Sequence, residues 1–253
     1  SNNEFFLQEI AIRSLSSPTI INSILIENNT ILDSTNTGIR LEGADYHIIH
    51  NNLINDSYNY GIRLNSGAQY NTIAQNNITF SSGPFSVGFY LNGASYNTIS
   101  ENLIQHFQTG IQLAGAITGF TSLNQILQNN ISFNDDYGIY CASIFAGLND
   151  IYRNILSDNG ADQAYDSSGS NNWDYDNVGN YWGDYVSSYP LATNNGIFWN
   201  TPYAISGGGL TDNFPLVNAN YIYNNPPTWA NVPNDFVQMK EGSLVDSPVW
   251  TVS

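Results

Sequence analysis

Positive charge is nearly absent from this chain. Only five of its 253 residues are Lys or Arg, against 21 Asp or Glu, and the formal net charge is −16. Lys240 is the sole lysine. Nucleic acids are bound by neutralising phosphates with a basic face, so nucleic acid is excluded as a partner. Anionic membrane surfaces are disfavoured for the same reason. Cysteine is scarcer still: Cys141 stands alone, so no internal disulfide can form. No run of 18 apolar residues occurs, and no segment of the chain is expected to insert into a membrane. Charged residues of either sign make up only 10%. Disordered chains couple high charge to low hydrophobicity, whereas here 42% of residues are hydrophobic and 13% aromatic, so the chain is expected to fold. Its polarity comes from Asn, Ser, Thr and Tyr, as suits an extracellular protein rich in turns. No signal peptide or initiator methionine precedes Ser1, and the sequence opens in mid-pattern, which reads as a mature form or fragment of a longer protein.

A repeat fills this frame. The unit N-x-I-x-x-N-x-I is followed by a turn and then G-I-x-L. It reads Asn71-Thr72-Ile73 with Asn76-Asn77-Ile78, then Asn97-Thr98-Ile99 with Asn102-Leu103-Ile104. It returns as Asn124-Gln125-Ile126 with Asn129-Asn130-Ile131, and as Asn149-Asp150-Ile151 with Asn154-Ile155-Leu156. Earlier copies carry His47 in the first Asn position, and Ile26, Asn29 and Ile31. The G-I-x-L blocks begin at Gly38, Gly61, Gly88, Gly110 and Gly138. The second Asn falls at 29, 52, 76, 102, 129 and 154, in steps of 23 to 27. Ile alternating with polar residues is a strand signal. Short strands at a fixed step form coils of a solenoid, each adding about 4.8 Å, with equivalent residues stacked. The sequence therefore predicts an all-β, right-handed parallel β-helix of about six coils of ~24 residues. Its core ladder is Ile26, Ile49, Ile73, Ile99, Ile126 and Ile151. Asn is expected at the bends because it tolerates the left-handed conformation and can bond to the Asn of the next coil. The glycines are expected to serve the bend into the following strand. A leucine-rich solenoid would need L-x-x-L-x-L-x-x-N, which is absent.

Four regions follow. Residues 1–21 read as an amino-terminal cap or partial coil, 22–170 as the repeats, 171–223 as a carboxy-terminal capping module, and 224–253 as a linker and the start of an immunoglobulin- or cadherin-like domain. The capping region is rich in aromatics: Asn171-Asn172-Trp173-Asp174, Gly179-Asn180-Tyr181-Trp182-Gly183-Asp184-Tyr185, Thr201-Pro202-Tyr203 and Asp212-Asn213-Phe214-Pro215-Leu216. Such residues cover the exposed core at an open solenoid end.

The repeats and this ordered terminal set resemble the NosD-like family, the carbohydrate-binding and sugar-hydrolysis parallel β-helix repeats, over roughly residues 20 to 218. The resemblance implies the fold and an exported location, and not one activity. Members of that family often carry an Asp-Gly-rich loop before T-P-Y that looks like a calcium site. Here Asn194-Asn195-Gly196-Ile197-Phe198-Trp199-Asn200 stands there, so calcium ligation is expected to be weakened or lost. Asp174, Asp176 and Asp184 remain as calcium candidates beside the alternative of solvated acidic turns. Copper, which the family name suggests, needs clustered His, Cys or Met. His47, His50, His106, Cys141 and Met239 are scattered, and copper is not carried over.

Register turns the repeat into a test for sites. The outward position of G-I-x-L holds Arg40, Arg63, Tyr90, Gln112 and Tyr140. Two positions on stand Glu42, Asn65, Asn92, Ala114 and Ala142, which leaves Glu42 the only carboxylate on that face and places it to offset repulsion between Arg40 and Arg63. One reading is a solvated strand surface. The other is a shallow glycan-binding strip, with tyrosines stacking on sugars and arginines bonding to hydroxyls or acidic groups. A second column, Asp33, Asp56, Phe80, His106, Phe133 and Asp158, reads as turn residues or, alternatively, as an acid pair or metal site. Tyr46, Tyr70, Tyr96, Leu123 and Leu148 read as a structural stack. Asn28, Asn55, Asn77 and Asn130 lie in N-x-S/T sequons at positions expected to face outward, and are glycosylation candidates.

Taken together, these features predict a non-enzymatic extracellular module: a stiff β-helical spacer of a cell-surface, S-layer or filament-type protein. The alternatives are a carbohydrate-binding module or a polysaccharide-active lyase or hydrolase on the outer strand face. Expected partners are further copies, associating end to end or through the tail after Pro227, neighbouring surface-protein domains, and glycans. No cofactor is expected other than the calcium considered above.

Overall fold

Alternation of apolar and polar residues in three- to six-residue runs cannot bury one face unless the runs stack. In the computed structural model they stack in parallel, each coil on the next. The structure describes residues 3–15, 23–141 and 143–224, the side chains of 223 and 224 excepted. The segment read as the start of an immunoglobulin- or cadherin-like domain, 228–253, lies outside the described residues, as do Ala142 and the tail invoked for association.

Three parallel sheets, of eight, seven and six strands, run the length of the molecule. The first holds Thr30–Ser34, Leu53–Ser57, Asn77–Thr79, Leu103–Gln105, Asn130–Ser132 and Ile155–Ser157, with Glu4–Phe6 at one edge and Tyr181–Trp182 at the other. The second holds the G-I-x-L strands from Thr37–Glu42 to Tyr137–Cys141, flanked by Ile10–Leu15 and Asp162–Asp166. The third runs from Leu25–Glu27 to Asp150–Tyr152. Glu4–Phe6 and Ile10–Leu15 pair with the first full coil, so the amino-terminal segment contributes two strands of a further coil and brings the solenoid to about seven turns.

The predicted core register holds. Ile99 pairs with Ile73 on one side and Ile126 on the other, and all three are fully buried. In the first sheet the inward column runs Phe5, Ile31, Ile54, Ile78, Ile104, Ile131, Leu156 and Trp182.

The Asn ladders form as expected, but the bend works differently. At the corner between the third and first sheets the left-handed residue is the one before the ladder Asn: Asn28, Asn51, Gln75, Glu101, Gln128 and Arg153 have φ of 53–56°. The ladder asparagines are not among the positive-φ residues. A non-Gly residue there costs about 1–2 kcal/mol. What offsets this is the Asn that follows, turned inward. Asn76 donates both its backbone N–H and its Nδ2 to Asn102 Oδ1, at 2.9 and 3.0 Å, and its Nδ2 also reaches Ile49 O. The same pattern links Asn29, Asn52, Asn76, Asn102, Asn129, Asn154 and Asn180, with Asn3 donating to Asn29. A second ladder links Asn71, Asn97, Asn124, Asn149 and Asn171. His47 continues it: its N–H donates to Asn71 Oδ1, and its ring bridges Ser14 Oγ and Asp45 O at 2.7 Å each.

The glycines of G-I-x-L are also explained by packing. None has positive φ. A Cβ on Gly38 would stand 2.7 Å from both Gly61 O and Ile54 Cγ2, so the close approach of the first and second sheets leaves no room for one.

The carboxy-terminal module closes the coil. Trp173 and Trp182 are fully buried with ring centroids 5.8 Å apart, and Tyr203 stacks on Trp182 at 3.9 Å. The helix Asn220–Asn224 packs back against the barrel, where Gln128 Nε2 donates to Ile222 O.

Candidate functional site

The outer face of the second sheet carries one unbroken row, one residue per coil: Arg13, Arg40, Arg63, Tyr90, Gln112, Tyr140 and Tyr165. Parallel pairing sets these side chains about 4.8 Å apart. The structure thus brings together all five residues named from the sequence, and adds Arg13 and Tyr165 at the ends. Both were hidden because their strands depart from G-I-x-L: Ala11 stands where Gly is expected, and Ala164 replaces Ile.

Beside the row lie Tyr60 and Tyr137, each preceding the glycine of its strand. Tyr60 packs on Tyr90 with centroids 5.0 Å apart. Arg63 lies over both rings, 5.0 Å from Tyr60 and 5.5 Å from Tyr90, which holds its guanidinium by cation–π attraction. At the far end Tyr137, Tyr140 and Tyr165 form a second cluster, with Tyr140 stacked on Tyr165 at 5.4 Å. A Tyr-Gly pair opening a strand is the sequence signal that could have found Tyr60 and Tyr137.

Electrostatics divide the row. Glu42 Oε2 bridges Arg13 at 2.7 Å and Arg40 at 3.1 Å, and does not reach Arg63. The Arg13 hydrogen bond, with Arg40 and Arg63 nearby, holds the Glu42 carboxyl below its usual range. Burial, with Tyr60 beside it, pushes the Tyr90 hydroxyl up, so it stays a neutral donor and acceptor at physiological pH.

The other candidates are placed as follows. Asp33 and Asp56 take φ of 55° at the corner between the first and second sheets, and Asp56 Oδ1 accepts the Ser82 N–H at 2.9 Å. Phe80, His106, Phe133 and Asp158 share that corner conformation. Tyr46, Tyr70 and Tyr96 form a stack, with centroids 5.0–5.1 Å apart, at the third corner. Asn28 and Asn77 are exposed, and Asn55 and Asn130 are half-buried.

Two of the three calcium candidates are engaged in bonds within the cap. Asp174 Oδ2 accepts from the Asn213 N–H and Nδ2, and Asp184 accepts the Tyr203 hydroxyl. Asp176 is a left-handed turn residue. In the loop before Thr201, Asn194 Oδ1 accepts the Gly196 N–H, and Asn195 Oδ1 accepts those of Ile197 and Phe198. These amide oxygens therefore close the loop on itself, and the donor set does not fit a calcium ion. Among the described residues no group of three or more His, Cys, Asp or Glu could hold a metal ion.

Stacked parallel coils and a three-sheet barrel define a parallel β-solenoid, with the side-chain row on its outer face. The family profile for a right handed beta helix region matches residues 19–181, and the chain belongs to that family. A solved structure described as the complex of XylC with xylose is similar in fold, with 17% identity and a TM-score of 0.47, over 62% of this chain and 29% of that one. The chain thus spans less than a third of the length of that neighbour. A search of curated proteins finds no match.

Proposed function

We propose that this chain is a stiff β-helical module of an exported, surface-associated protein, and that the second sheet's outer face is a non-catalytic glycan-contact strip. The observation that carries the reading is the tyrosine and arginine row, continuous over seven coils with register fixed by backbone pairing. Tyr rings offer an apolar face to sugar C–H groups and a hydroxyl to their oxygens. A flat row with one side chain per coil suits an extended polysaccharide chain better than a small molecule, which calls for a concave pocket. The resemblance of the terminal set to NosD-like proteins supports an exported location.

A glycan array on the intact chain tests this. The native protein should bind at least one polysaccharide class, and Tyr140→Ala should weaken that binding without lowering the melting temperature by more than a few degrees. Absence of binding to every glycan would overturn the strip. A plain spacer would then be the reading left, favoured by the two asparagine ladders that stiffen the barrel along its axis. Hydrolysis or elimination of a bound glycan, abolished by Asp33→Asn or Asp56→Asn, would instead favour a polysaccharide-active enzyme.

A further inference from the structure

Three of the chain's five basic residues, Arg13, Arg40 and Arg63, stand on consecutive coils of one face, in a molecule of formal net charge −16. Repulsion along such a row needs a counter-charge, and only the first gap has one. There Glu42 lays a single carboxylate oxygen across Arg13 and Arg40. One coil on, the residue in register with Glu42 is Asn65, which brings no charge. Its Oδ1 is buried without a hydrogen-bond partner. Arg63 makes no ion pair among the described residues. The Nε groups of Arg40 and Arg63 are buried and unbonded, so both guanidiniums depend on their terminal nitrogens for hydrogen bonds. Arg40 uses one of these on Glu42, and Arg63 is oriented by Tyr60 and Tyr90.

We propose that the gap between Arg40 and Arg63 is a carboxylate-binding subsite for the uronate group of an acidic polysaccharide. This rests on the glycan-strip reading and gives its ligand class. Glu42 shows in the same molecule how a carboxylate spans two arginines on adjacent coils. A ligand carboxylate one coil further on repeats that geometry, with charge-assisted hydrogen bonds from Arg40 and Arg63. The sugar ring to which it belongs lies toward Tyr60 and Tyr90. The Tyr137, Tyr140 and Tyr165 cluster, with no arginine beside it in the row, takes further sugar units by stacking. Glu42 is then an internal competitor: it neutralises the first gap and confines the acidic group to the second.

The test is titration calorimetry on the intact chain with alginate oligosaccharides, xylo- and cello-oligosaccharides of the same length, and dextran sulfate. Alginate should bind at least about tenfold tighter than the neutral chains, a difference of about 1.4 kcal/mol. Arg63→Gln should remove that advantage, weakening alginate binding far more than binding of the neutral chains. Glu42→Gln should strengthen alginate binding several-fold, because it frees a second arginine pair, and added salt should weaken it. Both substitutions are on the outer face, where such contacts contribute about 0–1 kcal/mol, so both variants should stay folded with melting temperatures within a few degrees of the native one. Equal binding of alginate and neutral chains, with no effect of either variant, would overturn the subsite and leave the glycan strip standing. Binding of dextran sulfate but not alginate would overturn the carboxylate assignment. Binding of no chain would remove both readings.

Discussion

The Oδ2 of Asp212 accepts the indole N–H of Trp182 at 2.8 Å, and the Oδ2 of Asp166 accepts that of Trp173 at 3.0 Å. Both carboxylates also terminate an asparagine ladder: Asn180 N donates to Asp212 at 2.6 Å, and Asn171 Nδ2 donates to Asp166 at 2.9 Å. Along each ladder an interior Asn accepts at its amide oxygen from the coil before, and donates its backbone N–H and its Nδ2 to the amide oxygen of the coil after, while the Nδ2 also reaches a backbone carbonyl of the coil before. The last Asn therefore has donors with no further coil to receive them. A buried carboxylate, itself held by a tryptophan, satisfies them.

Burial pushes the Asp212 carboxyl from its ordinary 3.8 up to about 7, against the lowering pull of the Asn180, Trp182 and Phe214 donors and with Asp174 adding to the rise. Between those two values the folded state keeps a proton that the unfolded chain has released, so raising the pH favours unfolding. The Asp212 contribution is expected to be greatest below about pH 4, to fall toward pH 7, and to level off above it. Melting temperatures of native protein and Asp212→Asn across that range read this directly. The gap between them should narrow as the pH rises, and a constant gap would show that Asp212 does not titrate there.

Asn102→Ala interrupts the longer ladder. It strands the Asn76 N–H, takes one acceptor from the Asn76 Nδ2, and leaves the Asn129 Oδ1 with the backbone N–H of residue 102 alone. Each unsatisfied buried group costs about 1–3 kcal/mol. We expect a loss of roughly 3 kcal/mol, or about 6–12 °C in melting temperature for a chain of this size. A shift under about 2 °C would mean that water replaces the missing amide at little cost.

Ile99→Asp places a charge between Ile73 and Ile126, where all three side chains are fully buried. A buried unpaired carboxylate is among the most destabilising single changes, and the protein should fail to fold. Ile99→Val, which removes one methylene, should cost only about 0.5–1.5 kcal/mol. Circular dichroism and melting of the two variants test the register: similar behaviour of both would contradict it.

Burial, with Asp166 nearby, raises the Cys141 thiol up to about 12, and its Sγ donates to Ala146 O at 3.0 Å. The thiolate is the reactive form. A disulfide exchange reagent at pH 8 should therefore leave the folded protein unlabelled and react once denaturant is added. Prompt labelling without denaturant would indicate that the second sheet opens at Cys141.

The coil register was legible because Ile and Asn recur at nearly constant spacing, and stacking turns that spacing into contacts. The bends were read one residue late. Asn was given the left-handed conformation because of its tolerance for it, yet the structure gives that to the preceding residue, which includes Gln75, Glu101, Arg153, Tyr70 and Phe133. Sequence preference fails at these positions because the inward Asn that follows, held by both neighbouring coils, offsets the cost of the turn in whatever residue precedes it. Arg40, Arg63, Tyr90, Gln112 and Tyr140 were found by register alone, whereas Arg13 lay in a segment without the motif. The roles of Asp166 and Asp212 were out of reach. Each meets its ladder across a contact set by the cap, and Asp212 lies 32 residues from Asn180.

The ladders also make the solenoid a ruler. Every interior Asn has the same partners above and below, and only the last one in each series meets an acid. A whole coil could be removed or duplicated between Asn52 and Asn129 without asking anything new of either end. The molecule would change length in steps of about 4.8 Å, the spacing between paired strands. Each step would also shorten or extend the lateral row by one side chain, so reach and number of contact positions are tied together and can change only in whole turns.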